Sequence, residues 1–382
     1  MNQGLKSRLP SVGSTIFSVM SALANEHGAV NLSQGFPDFD CSNRLKELVN
    51  HHIKAGHNQY APMPGLMELR EQLAAKVDRQ HGHFYHPSSE VCVTAGATQA
   101  IFTAILALVH PGDEVIIVEP AYDCYAPAIT LAGGNIIRVS LDLATRDLDV
   151  STIEQKLSSS TRLLIINTPH NPTGVCFSKD AMLALDQLLH DTNTMVLSDE
   201  VYEHIIFDGR QHESIARYPG LVERSILVSS FGKTYHNTGW KLGYCMAPKA
   251  IMDEFLKVHQ FNVFCVNRPM QHAFADLMAE ERSYEDLNAF YQEKRDFFCS
   301  AISGSRFKFK ATEGTYFQLL DYSNITKDED IVTAKTWTVK KGIASIPISV
   351  FYAEAPKQHM LRFCFAKNRD TIEKGAEIIN RL

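Results

Sequence analysis

Several stretches of this chain put reactive side chains where an apolar run stops. Lys233 follows Ile226-Leu227-Val228 in Ser229-Ser230-Phe231-Gly232-Lys233-Thr234, and Lys241 lies shortly before Gly243-Tyr244-Cys245-Met246. A lone lysine ordinarily snorkels to the surface. One placed just behind a buried run and beside a glycine is poorly positioned to be only a solvated charge. Asp199 follows Met195-Val196-Leu197-Ser198 and opens Asp199-Glu200-Val201-Tyr202. A carboxylate there is costly unless paired, so it reads as a cap of the next segment or as a paired charge. Val91-Cys92-Val93 leads into Thr94-Ala95-Gly96-Ala97-Thr98 and then a helical pattern. Small residues at a helix start let free N–H groups approach an anion, and the helix dipole favours it. The stretch is a phosphate cradle or a plain strand-to-helix turn. It is neither a Walker loop nor a GxGxxG turn, because the required glycines and Lys-Ser/Thr are missing. Finally, Leu163-Leu164-Ile165-Ile166 leads into Asn167-Thr168-Pro169-His170-Asn171-Pro172-Thr173-Gly174. Two X-Pro steps and a glycine predict an extended, rigid loop that holds Asn171 for ligand hydrogen bonding.

The elements that must position these residues are legible from periodicity. Short apolar runs at 91–93, 115–118, 136–139, 163–166, 195–197, 226–228 and 243–246 are too brief for helices and rich in β-branched residues. Unbroken runs of this kind belong to strands buried on both faces, as in a mostly parallel sheet. Helical patterns at Thr98 to Val109 and Ser178 to His190 alternate with them, which argues for a layered α/β fold. In such sheets ligands bind outside the carboxyl ends of the strands, where the residues above fall. A helical stretch is predicted near Thr15 to Asn25 and one long helix over Ser283 to Ser300. Strands are predicted at Arg306 to Lys310, Tyr316 to Leu320 and Met360 to Phe365, followed by a helix from Asp370. The expected organisation is an arm over 1–45 that joins a smaller α+β domain, a large domain over 46–282, and the rest of the small domain over 283–382.

Composition excludes several classes. The 382 residues are 45% hydrophobic and 21% charged, so the chain is globular. A formal net charge of −6 makes a nucleic-acid or anionic-membrane partner a poor expectation. The 8 cysteines include no CxxC pair, so no metal site and no disulfide framework is expected. The longest apolar stretch, Ile101 to Val109, falls short of the ~20 residues that span a bilayer. The first thirty residues show no signal-peptide pattern. A cytoplasmic location is the expectation.

Taken in order, the cradle, Asn171, Asp199, Tyr202 and Lys233 resemble the class I and II aminotransferases, the fold type I enzymes dependent on pyridoxal 5'-phosphate. The resemblance covers nearly the whole chain, including Asn31-Leu32-Ser33-Gln34-Gly35-Phe36-Pro37-Asp38-Phe39 and Asn58-Gln59-Tyr60-Ala61-Pro62. The Asn167 to Gly174 loop and the Ser229 to Gly239 run look most like the branch of bacterial methionine and kynurenine/glutamine aminotransferases. The resemblance implies a large domain with a seven-stranded, mostly parallel sheet plus a smaller α+β domain. It implies that Lys233 bonds the cofactor aldehyde and, once freed, moves the substrate Cα proton, which requires a lowered pKa. Asp199 would pair with the pyridine nitrogen, Asn171 and Tyr202 with the ring's phenolic oxygen, and Tyr122 would stack on the ring. Ala97, Thr98, Ser230 and Lys241 would hold the phosphate, joined by Tyr60 of a neighbouring subunit, so a homodimer with shared sites is implied. Arg362 would grip the substrate carboxylate, helped by Gly35 and Asn171, and Phe36 would line the side-chain pocket with Tyr60, Tyr122, Phe264 and residues 346–351.

The implied reaction moves the amino group of methionine or an aromatic, glutamine or kynurenine-type amino acid to a 2-oxo acid, without metal. Arg268 departs from the branch, where a small residue is expected, and reads as a surface residue or one that reaches a pocket. A carbon–sulfur β-lyase on the same scaffold and a cofactor-binding regulator are the alternatives. The regulator would need an appended DNA-binding segment, for which the pattern from residue 15 to the last helix leaves no room.

Overall fold

In the computed structural model, which describes residues 4, 6–280, 282–354 and 356–382, every one of the seven apolar runs is a strand. In chain order the strands are β1 (Val30–Asn31), β2 (Val91–Thr94), β3 (Glu114–Glu119), β4 (Asn135–Ser140), β5 (Thr161–Asn167), β6 (Met195–Asp199), β7 (Ser225–Ser230), β8 (Gly243–Met246), β9 (Phe317–Asp321), β10 (Ile343–Ala344), β11 (Ile346–Pro347) and β12 (Met360–Cys364). Strands β2 to β8 form one sheet in the order β2-β8-β7-β6-β5-β3-β4, with β8 antiparallel to both its neighbours and the remaining pairs parallel.

Successive strand residues point to opposite faces, and both faces are covered. Val91, Val93, Ile116, Val118, Leu164 and Ile166 join one core, while Cys92, Val115, Ile117, Leu163 and Ile165 join the other. Apolar residues are therefore required at both parities, and this is why the runs read as unbroken rather than alternating. Helices Asn43–Lys54, Met67–His81 and Lys179–Leu189 cover the first face, and helices Ala97–Leu108, Tyr125–Ala132 and Lys249–Asn262 the second.

A third core gathers Phe317, Leu320, Trp337, Ile346, Leu361 and Phe363 with Met20 and Leu32 from the beginning of the chain. Its antiparallel sheet runs β11-β12-β9, and β1 pairs in parallel with β10. Three local expectations are corrected here. Residues 306–310 make only an isolated bridge, Lys308 to Asp321, because no second strand residue pairs there. The helix expected over 283–300 opens as a 3-10 turn, Ser283–Asp286, and becomes α-helical only over Leu287–Ala301. The 167–174 loop is not extended but tightly turned. Gly174 N–H donates to the His170 carbonyl at 2.7 Å, with Gly174 at φ +71°, a conformation that favours glycine.

A buried polar network ties the segment behind Asp199 to the sheet. The Lys76 ammonium donates to Glu203 Oε1 and to the Tyr244 hydroxyl, both at 2.8 Å, and Ser229 Oγ donates to the same carboxylate at 2.6 Å. Burial works to raise the pKa of Glu203, but Lys76, His204 and these hydrogen bonds overcome it and hold the carboxyl well below its ordinary value. Among the described residues no helix is long and apolar enough to cross a membrane.

Candidate active site

The register of the large sheet lines up four strand ends on one edge. Thr94 and Ser230 both pair with Gly243, Asp199 pairs with Val228, and Asn167 pairs with Asp199. Because β8 runs the opposite way, its first residue, not its last, meets this edge. A Cβ on Gly243 would lie 2.8 Å from the Ala97 nitrogen, so glycine lets the strand close on the start of helix Ala97–Leu108. That helix start faces an open cleft enclosing about 990 Å³, part of it continuous with solvent. Ala97, Thr98, Tyr122, Asn171, Asp199, Tyr202, Ser230, Lys233 and Lys241 line it, as do Gly35, Phe36 and Arg362.

Thus the residues expected to hold the cofactor and the substrate carboxylate, Tyr60 excepted, face one cavity together with Phe36, whereas Phe264 and residues 346–351, also expected in the side-chain pocket, do not line it. Tyr60 is 79% exposed and stands outside it, its ring edge-on to Phe264 at 5.3 Å. Phe264 and Arg268 do not line it either; Arg268 begins helix Arg268–Glu280 with its Nε 3.4 Å from His272 Nε2. Gly35 engages through its carbonyl, which accepts from Tyr316 Oη at 2.6 Å and from Lys233 Nζ at 3.3 Å. Asn167, Tyr125, Tyr316, Phe317 and Phe17 were not expected at the site. Asn167 was visible as the first residue of the proline loop. Nothing in the sequence marks the other four, since a buried tyrosine or phenylalanine in an element reads as core.

The cradle has a floor and two polar walls. Gly96 caps the helix at φ +80°, and a Cβ there would lie 3.4 Å from Lys241 Nζ. Lys241 itself holds a left-handed conformation, φ +55°, which brings its side chain back toward the helix start. Ser230 Oγ accepts from Gly232 N–H at 3.2 Å and so fixes the turn that carries Lys233.

Asp199 is 4% exposed, and its Oδ2 accepts from the Tyr125 hydroxyl at 2.7 Å. Burial raises its pKa to about 6, opposed by the bonds from Tyr125 and the Val201 N–H. Asn167 Nδ2 donates to the Asp199 carbonyl at 2.8 Å, and Asn167 Oδ1 accepts from Asn171 N–H at 2.7 Å, so one amide sets both neighbours.

Lys233 Nζ donates to Tyr316 Oη at 3.1 Å. Burial lowers its pKa to about 8, and the positive charges of Arg362 and Lys241 act in the same direction. Below pH 8 the ammonium opposes folding in full, and the opposition is relieved as pH rises from there toward the ordinary lysine value of 10.5. In cofactor-free protein, modification of Lys233 by an amine-selective reagent should therefore reach half its limiting rate near pH 8. A midpoint near 10 would contradict this environment.

Arg362 on β12 is 1% exposed. Its Nη1 donates to Asn171 Oδ1 at 2.7 Å, and its guanidinium carbon lies 3.8 Å from the Phe317 ring centre. Its Nε has no hydrogen-bond partner. Among the described residues, Asp199 and Arg362 are buried, Lys233 is half-buried, and none of the three makes an ion pair. Charges withdrawn from water without a partner are costly. Their grouping around one cleft suits bound groups that bring the opposite charge.

Residues 27–379 match the family described as Aminotransferase class I and II. The chain belongs to that family. It is 47% identical over 378 residues to a methionine aminotransferase of Escherichia coli, covering 99% of this chain and 98% of that protein. It is 34% identical to human kynurenine–oxoglutarate transaminase 1, covering 94% of this chain and 93% of that one. A solved Escherichia coli structure identified with a methionine aminotransferase function superposes with a TM-score of 0.97 at 47% identity, covering 99% of both chains. The N-succinyldiaminopimelate aminotransferase of Mycobacterium tuberculosis gives 0.95 at 36% identity, again over 99% of both. This aminotransferase has the fold type I architecture, uses pyridoxal 5'-phosphate, and acts on an amino acid and a 2-oxo acid.

The cleft fits that cofactor. A buried, unpaired Asp199 suits a protonated ring nitrogen, the Gly96–Thr98 helix start with Lys241 suits a phosphate, and Lys233 between them suits an aldehyde.

Proposed function

We propose that this aminotransferase takes its amino group from methionine or another L-amino acid with an apolar or aromatic side chain. The observation that carries the amino-acid half of the reading is Arg362, a buried guanidinium with no carboxylate partner among the described residues and an Nε left without a partner, while the side-chain choice rests on the aromatic lining. A substrate α-carboxylate would supply both missing interactions in the bidentate geometry that guanidinium favours. Asn171 would steady the fork from below, and Phe317 would fix its plane.

When bound, the cofactor supplies an electron sink for the pair left at Cα. Asp199 would keep the ring nitrogen protonated, with Tyr125 holding the carboxylate in place. Asn171 and Tyr202 would sit at the phenolic oxygen, and Tyr122 would cover one ring face. Ala97, Thr98, Ser230 and Lys241 would hold the phosphate. Lys233, neutral in a useful fraction at pH 7 to 8, would take the proton from the substrate Cα and deliver it to the cofactor carbon that carried the aldehyde, not back to Cα.

The aromatic part of the lining supports the side-chain choice. Phe17, Phe36, Tyr122 and Phe317 line the cleft, and an adjoining cavity adds Phe102, Val350 and Phe351 beside Asp123 and Lys335. Such a wall favours a thioether or aromatic side chain over a carboxylate. The relative that is 47% identical is a methionine aminotransferase, which supports the same choice. The exposed Tyr60 and Phe264 belong to this reading as the contribution of one subunit to the cleft of its partner in a homodimer. So do the division of the chain at about residues 45 and 282 and a cytoplasmic location.

A panel of L-amino acids with a fixed 2-oxo acid tests the substrate class. Methionine and aromatic donors should exceed aspartate and glutamate by at least about 10-fold in kcat/KM, the scale of one unmatched apolar contact. Equal rates for glutamate would sink the proposal, as would pyruvate release from cystathionine without an acceptor. If Arg268 enters a partner's pocket, Arg268→Thr will lower the glutamate rate relative to methionine. An unchanged ratio would place Arg268 outside any pocket.

A further inference from the structure

Away from the cleft, three histidines converge between helices Asn43–Lys54 and Arg268–Glu280. One ring nitrogen of each of His52, His57 and His272 lies within 4.8 Å of the other two. His52 Nδ1 and His57 Nδ1 are 3.0 Å apart, and the His57 and His272 ring centres 4.0 Å. Asp276 Oδ2 lies 2.7 Å from His52 Nε2.

The carboxylate settles the first tautomer. It draws the proton to Nε2 of His52, so Nδ1 keeps its lone pair, directed at His57. His272 Nε2 lies 3.4 Å from Arg268 Nε, a contact that an ion binding at that nitrogen would displace. His57 faces the free Nδ1 of His52, and the His272 ring lies nearly parallel to that of His52 with centres 5.0 Å apart, so three imidazoles with Asp276 as the outer partner make the donor types of a late transition-metal ion once the rings turn their nitrogens toward a common point. Metal–nitrogen bonds of about 2.0–2.1 Å put tetrahedral ligands about 3.4 Å apart, so closing the set needs side-chain shifts on the order of 1 Å.

We propose that His52, His57 and His272 bind one divalent zinc-class ion per chain, oriented by Asp276, and that the ion clamps the two helices together. The clamp would hold the 55–60 loop, whose Tyr60 already rests on Phe264 beside the second helix. His57 and His272 are separated by most of the large sheet in sequence, so no ligand spacing could announce the set.

The test uses full-length holoenzyme dialysed against chelator and then titrated with ZnCl2, with bound metal counted by elemental analysis. The expected result is one equivalent per chain. His57→Gln and His272→Gln should each weaken binding at least about 10-fold, and Asp276→Asn by about 10- to 100-fold. Cobalt(II) in place of zinc should give the strong visible absorption of a nitrogen-ligated ion in a low-symmetry site, lost in the His57→Gln/His272→Gln double variant. Binding well below one equivalent at about 0.1 mM zinc would overturn the proposal. So would undiminished binding in the double variant. Should a variant fail to fold, the wild-type cobalt spectrum decides alone, and a spectrum of the aqueous ion counts against the site.

Discussion

Lys233→Ala should lower amino-group transfer by about 10³-fold or more, within the range that a positioned proton-transfer group supplies and beyond it if its bond to the cofactor also matters. The environment explains why no other residue substitutes. Lys233 Nζ is held between the Gly35 carbonyl and the Tyr316 hydroxyl, at 3.3 and 3.1 Å. Tyr316 is the next candidate base, but burial pushes its hydroxyl well above its ordinary pKa, so it keeps its proton near neutral pH. Folding should not suffer. The ammonium is unpaired among the described residues and opposes folding below pH 8, so the alanine variant without cofactor should melt no lower than the parent at pH 7. Transfer rates with methionine, the visible absorption of the loaded protein and a thermal melt make the comparison. Activity within about 10-fold of the parent would remove Lys233 from the chemistry.

Arg362→Lys should cost about 2–4 kcal/mol in kcat/KM for an amino acid, equivalent to roughly 30- to 1,000-fold. The charge survives this change, but the two-pronged fork does not. An ammonium cannot reproduce both the bond to Asn171 Oδ1 and a paired grip on a carboxylate, nor lie flat on Phe317. The informative control is a substrate amine that lacks the carboxylate, such as the decarboxylated analogue of methionine. Its slow reaction should be nearly indifferent to Arg362→Lys. An equal loss for amine and amino acid would mean that the variant damages β12 rather than carboxylate binding.

Much of the catalytic edge was legible because it depends on local chemistry. A strand covered on both faces must be apolar at both parities, so runs such as 115–118 and 163–166 stand out by composition alone. Strands of a parallel sheet end on a common edge, and Asp199, Asn171 and Lys233 therefore fall together once the strands are found. The missing strand has a different cause. Residues 306–310 have the residue types of a strand but find a partner only at Lys308, and pairing is a property of the neighbour. The two-residue strands β1, β10 and β11 are too short to leave a period.

What the sequence by itself determined is the α/β sheet, the family resemblance and the residues at strand ends, because apolar parity and turn chemistry are written within a few positions. What only the tertiary structure decided is which distant groups share a space. Arg362 reads locally as a strand charge and becomes a buried, unpaired guanidinium only when β12 brings it to Asn171, 191 residues away in sequence. Tyr125 and Tyr316 read as core and become the partners of Asp199 and Lys233. His52, His57 and His272 read as unrelated polar residues until two helices pack. Burial and electrostatic pairing depend on separations in space, and those are fixed by the packing of elements far apart along the chain.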